Sequence, residues 1–226
     1  MTRDQADARL AVSALTAGEG PILCVAGLGD ASFGRVLSRP ARALALASAG
    51  LGPGPGPSAG AGAAEIALFS WSGHAIGAGA GFTPRAASLD AHLAATPSEQ
   101  RGALTAIGHS WGAARLAETL RRRAIRVRLL LTLDPVGRFT SREDLARIAA
   151  LSEIWINVEA TRRFGISNAI SRVGGRWGAR PAAFATRHLA LALDHRHAAA
   201  QWRAAMACAR PLIARADAPQ LAPKDR

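Results

Sequence analysis

Ser110 stands between two glycines in Gly108-His109-Ser110-Trp111-Gly112, a G-x-S-x-G pentapeptide and the sharpest chemical signal in the chain. A serine hydroxyl attacks an acyl carbon at neutral pH only when a base takes its proton and an acid orients that base. Candidates for both lie downstream. Asp134 follows Ser110 by 24 positions and ends the apolar run 127–133, so it projects from the carboxyl edge of a parallel sheet, the edge Ser110 occupies. Glu159, after the next apolar run, is the alternative acid. The base has three later candidates, His188, His195 and His197. His188 begins a strand, at the wrong edge for the task. His195 and His197 fall between the last strand and the final helix. His197 is preferred because it directly precedes that helix, whose dipole disfavours a cation and so suits a neutral base; His195 is the alternative. His74, His92 and His109 are expected to be structural or surface groups.

Acyl transfer also needs two N–H groups aimed at the developing oxyanion. Trp111, directly after the serine, supplies one. The loop Gly27-Leu28-Gly29-Asp30 after the first strand supplies the other, from Leu28. That loop contains neither G-x-G-x-x-G nor G-x-x-x-x-G-K-[ST], so it does not read as a nucleotide site.

These residues must be positioned by alternating strands and helices. Strands are expected at about 21–26, 65–71, 103–108, 127–134, 154–158 and 188–193. Residues 127–134, VRLLLTLD, form a continuous apolar run of the kind buried on both faces of a parallel sheet. Helices are expected at 38–49, about 85–95, after Ser110, from a Ser141 cap to about Ala150, and at 198–209. In the helix after Ser110, Ala113, Leu116, Ala117 and Leu120 recur at the spacing of one buried face. Residues 50–64 read as a Gly/Pro-rich connector, 159–181 as irregular, and 211–226 as a frayed tail. The pattern implies one α/β domain over residues 1–226: a doubly wound, mostly parallel sheet in three layers.

Composition narrows the function. Hydrophobic residues make up 49% and charged residues 19%, which is a globular balance. The net charge of +12 lies in the second half: residues 114–226 carry 21 basic and nine acidic groups, against seven of each in residues 1–113. Such arginines can draw an anionic substrate or a membrane surface. Nucleic acid is not expected, because no aromatic residues interleave with the cluster at residues 121–128 to stack bases. Cys24 and Cys208 lack metal-ligand or disulfide-framework spacing and read as reduced thiols. No apolar run is long enough to span a membrane. The opening residues MTRDQADARL carry acids, so no signal peptide is expected and the location reads as cytoplasmic.

GHSWG followed by LDPVG resembles the lipase and esterase branch of the α/β-hydrolase superfamily, most closely over residues 103–137. The resemblance implies a minimal α/β-hydrolase fold, the chain order Ser–Asp–His, and a triad of Ser110, Asp134 and His197. It also implies a small acyl ester as substrate and no metal or organic cofactor. The opening loop AGLG departs from the usual HG, and no insertion supplies a lid domain. A thioester or phospholipid substrate is therefore as compatible as a simple ester. The alternative from another class is a binding protein that keeps the fold without the chemistry.

Overall fold

The computed structural model describes residues 20–28, 41, 65–76, 82–138, 141–162 and 166–218. Nearly all of the expected 38–49 helix and the whole 50–64 connector lie outside them. Six strands form one sheet: β1 (Ile22–Val25), β2 (Ile66–Phe69), β3 (Thr105–His109), β4 (Val127–Leu133), β5 (Ser152–Ala160) and β6 (Arg187–Leu191). Their order is β2-β1-β3-β4-β5-β6 and every pairing is parallel. The chain moves from β1 out to β2, then returns to place β3 on the other side of β1. The gap between β1 and β3 is thus where the winding reverses, the place in such sheets where loops at the carboxyl edge diverge and leave a crevice.

Strand side chains alternate between faces, and the two buried clusters follow that alternation. Ile22, Cys24, Ile66, Leu68, Ile107, Leu129, Leu131, Ile154 and Ile156 point to one face, where they meet Trp202, Ala205, Met206 and Ala209 of the long helix α6 (Ala198–Asp217). Leu23, Val25, Ala67, Phe69, Ala106, Leu130 and Trp155 point to the other. That face is covered by α1 (Leu89–Ala95), α3 (Trp111–Arg122) and α4 (Arg142–Leu151). The result is an α/β fold in three layers. A one-turn α2 (Ser98–Arg101) precedes β3.

Local signals explain several boundaries. Ser88 caps α1 by accepting from the Ala91 N–H at 3.2 Å. Ser141 caps α4 by accepting from the Asp144 N–H at 3.1 Å, as its spacing implies. Two expectations are corrected. Residues 159–181 are not irregular throughout: they end β5 and hold α5 (Ile166–Val173) and a short 3-10 turn (Arg180–Ala183). The final helix does not stop near residue 209, and the tail is not frayed from 211. The helix continues through Pro211 to Asp217. Proline costs an interior helix a hydrogen bond, but Leu212 and Ile213 beyond it pack on the core and offset that loss. Among the described residues, no helix is long and apolar enough to cross a membrane.

Burial pushes the Cys24 thiol up from 9.0 to about 12. The unfolded thiol therefore ionises first as pH rises, and folding loses stability from about pH 9 upward. In the native protein at pH 8.5, Cys24 is expected to resist iodoacetamide and to react fully in urea, as read by peptide mass spectrometry. Native-state alkylation of Cys24 at the rate of a free thiol contradicts this placement.

Candidate active site

Strand register builds the site. Val25 pairs with Gly108, Leu133 with His109, and Leu133 with Val158. Continued past these pairs, the register brings Gly27, Ser110, Asp134 and Glu159 into one row at the carboxyl edge. β3 ends at His109 and α3 starts at Trp111, so Ser110 alone makes the reversal. It does so at φ 56°, ψ −130°, a conformation an L-residue rarely adopts. Its backbone is clamped: the N–H donates to Leu133 O at 3.0 Å, and its carbonyl accepts from the N–H groups of Ala113 and Val136, each at 3.1 Å. Strain of this kind costs on the order of 1–3 kcal/mol and persists only where the surroundings impose it.

The flanking glycines are steric requirements. A Cβ at Gly108 would lie 2.4 Å from Ala113 Cα, and one at Gly112 would lie 2.3 Å from Ala26 O. Both contacts are with backbone and cannot relax cheaply. A Cβ at Gly27 would come within 2.8 Å of Ser110 Cβ, so the loop after β1 runs directly against the serine.

His195 Nε2 lies 2.9 Å from Ser110 Oγ, and its Nδ1 lies 2.6 Å from Asp134 Oδ2. This pattern fits the neutral ring with Nδ1–H donating to Asp134 and Nε2 accepting from Ser110. Ser110, Asp134 and His195 are exposed by only 4%, 1% and 9%. The preference for His197 is corrected. His197 is exposed at the start of α6, in a turn where its N–H donates to Asp194 O at 3.0 Å. The residue that adjoins a helix this way faces outward, whereas the residue two earlier is drawn inward. Glu159 does not compete with Asp134: it sits inside β5 and faces His188 Nε2 at 3.3 Å.

Three elements hold the base. The His195 N–H donates to Asn168 Oδ1 at 3.0 Å, from α5. Its carbonyl is 2.9 Å from His109 Nε2 and accepts from Gln201 Nε2 at 3.2 Å. The His109 and His195 rings lie 4.9 Å apart at 32°, so His109 packs directly against His195. Asp134 is held as firmly. Oδ1 accepts from the Ala160 N–H at 3.2 Å, and Oδ2 accepts from Arg176 as well as His195, both at 2.6 Å. Arg176 arrives because residues 175–177 run antiparallel to 135–137, through Gly137 N–H to Gly175 O and Trp177 N–H to Pro135 O, each at 3.0 Å.

Asn168, Arg176 and Gln201 escaped sequence reasoning. The apolar periodicity of 166–173 was the available signal for α5; nothing local marked Arg176.

Of the expected oxyanion donors, Trp111 directly follows Ser110 and Leu28 follows Gly27, which lies against Ser110. Trp111 is the first residue of α3, where an N–H has no acceptor within the helix. Leu28 directly follows Gly27 and is exposed, and neither N–H donates to a backbone carbonyl among the described residues. Gly29 and Asp30 lie outside those residues. No cluster of three His, Cys, Asp or Glu side chains is arranged to hold a metal among the described residues. The arginine cluster is largely committed to pairing. Arg122 and Arg123 share Asp90, at 2.5 and 2.9 Å, Arg121 meets Asp144 at 3.5 Å, and Arg128 meets Asp217.

Gly112→Ala is expected to lift α3 from β1, with a loss of about 1–3 kcal/mol in urea denaturation, the ordinary cost of overpacking. An unchanged midpoint contradicts the close approach described for Gly112.

Compared with protein-family models, with curated proteins and with solved structures, the chain matched none of them.

Proposed function

We propose that the chain is a serine hydrolase of the α/β-hydrolase type that cleaves a carboxylic ester through an acyl-enzyme on Ser110. The observation that carries this reading is the unbroken line Ser110 Oγ–His195–Asp134, with separations of 2.9 and 2.6 Å. A histidine beyond hydrogen-bond reach would have favoured the binding-protein alternative. The left-handed turn at Ser110 supports the reading too, since it lifts the hydroxyl clear of the strand.

The chemistry follows from the geometry. Ser110 Oγ attacks the ester carbonyl while His195 Nε2 takes its proton. Asp134 holds Nδ1–H, fixing the tautomer and stabilising the imidazolium as it forms. The carbonyl oxygen, now negative, is received by the N–H groups of Trp111 and Leu28 at the positive end of α3. Collapse breaks the bond to the alcohol, which leaves with the proton from His195. Water then attacks the acyl-enzyme, giving up its proton to His195, and the acid departs as Ser110 recovers its hydrogen.

A fluorophosphonate probe tests the proposal, because it reacts with an activated serine before any substrate is known. Wild type is expected to label, Ser110→Ala not at all, and His195→Ala at a rate lower by roughly a thousandfold or more. His197→Ala is expected to label normally. A well-folded wild type that stays unlabelled overturns the hydrolase reading in favour of the binding protein.

A further inference from the structure

Beside the Ser110 turn, α3 and the loops after β2 and β4 leave an open cleft of about 590 Å³. Its lining includes two residues that adjoin Ser110 without including Ser110 itself. Trp111 is the next residue in the chain, and the Val136 N–H donates to the Ser110 carbonyl at 3.1 Å. Ala114, Arg115 and Glu118 continue it along one face of α3. An ester whose carbonyl rests between Ser110 and the Trp111 N–H can lay one of its two arms in this cleft.

The lining specifies what that arm carries. One wall is aromatic: Trp71 and Trp111 meet edge to face, with centroids 6.2 Å apart and planes at 72°. The Trp111 indole is seated on Gly174, where a Cβ would come within 2.8 Å of the ring. Trp71 remains 40% exposed, a large apolar surface left open to solvent. The other wall is charged. Arg115 is shared between Asp90 at 3.5 Å and Glu118 at 3.7 Å. Arg138 is exposed and has no carboxylate partner among the described residues. Arg115 is therefore paired with carboxylates, although its buried Nε has no hydrogen-bond partner among the described residues, and Arg138 is available to a ligand. Arg115 lies about 6 Å along the helix axis from Trp111, at 1.5 Å per residue, and Arg138 lines the same cleft from the loop after β4.

Resting on the hydrolase reading, we infer that the substrate is an anionic ester: a short apolar or aromatic body against Trp71 and Trp111, bearing a carboxylate that Arg138 receives. The planar fork of arginine matches a carboxylate with two parallel hydrogen bonds, and a flat apolar body fits an indole wall better than a bulky one. The guanidinium is open to water, so salt weakens its contribution.

Boronic acids test this without knowledge of the natural ester, since boron bonds reversibly to an activated serine oxygen. Protection against fluorophosphonate labelling is measured for phenylboronic acid and for its 3- and 4-carboxyl derivatives, in wild type, Arg138→Gln and Arg138→Lys. In wild type at low salt, at least one carboxyl derivative is expected to protect at about tenfold lower concentration than the parent, the lower end of a charge-assisted hydrogen bond. Arg138→Gln is expected to bring that ratio near one, and Arg138→Lys to keep part of it. Using the ratio within each variant cancels any general change in reactivity. Equal protection in a wild type that labels, or a preference undiminished in Arg138→Gln, overturns the inference and leaves the hydrolase reading standing. A wild type that does not label at Ser110 removes both.

Discussion

A single residue separates β3 from α3, and the rest of the site depends on that constraint. Had the chain used three or four residues to turn, the helix would have had room to reverse without strain. With Ser110 alone available, the backbone enters the left-handed region, and α3 returns so close to the sheet that side chains at 108 and 112 are excluded. The same compression brings the first N–H groups of the helix beside the serine hydroxyl. Geometry that looks like catalytic design at Ser110 is thus also the packing solution for a helix laid tightly on β1 and β3. Alanines on its inner face permit that approach, because Ala113 and Ala117 keep helix and sheet close where larger residues would part them.

Parallel register then does what no local sequence can. Because β1, β3, β4 and β5 are aligned residue for residue, their carboxyl ends present Gly27, Ser110, Asp134 and Glu159 in a row. Two carboxylates stand in that row, and their surroundings divide them. Glu159 is drawn to His188, which Asn157 also contacts at 3.0 Å. Asp134 turns at φ 42° and receives donors from Ala160, Arg176 and His195. Three donors on one buried carboxylate fix its plane, and a fixed plane fixes the imidazole that shares it.

What was legible in the sequence was whatever rests on short-range pattern. All six strands were legible as apolar runs bounded by glycine or polar residues. The serine turn was legible because strand, pentapeptide and amphipathic helix follow one another without a gap. Asp134 was legible because the end of a buried strand has only one place to go. The choice between His195 and His197 was not. Both lie in one four-residue turn, and which faces inward is decided by Asn168 and Gln201, residues 27 and six positions away from His195. Arg176 lies 42 positions from Asp134 in a stretch without strong periodicity, and only tertiary pairing brings it there. The extension of α6 past Pro211 was hidden for a similar reason: a local breaker was outweighed by Leu212 and Ile213 packing on the core.

The base is therefore the least local part of the site. Its ring is held by Asp134 from β4, its N–H by Asn168 from α5, and its carbonyl by His109 from β3 and Gln201 from α6. His109 and Asp134 come from the carboxyl ends of neighbouring strands, and Asn168 and Gln201 come from helices that follow β5 and β6. Members of such a network polarise and position one another, so their contributions do not separate into independent pairs. The Ser110 turn joins β3 directly to α3, and the end of β4 and the residues after it clamp its backbone. His195 is held in addition by residues of α5 and α6, which are more distant from Ser110 in the chain. A change at Gln201 in α6 therefore reaches His195 through the carbonyl that it holds.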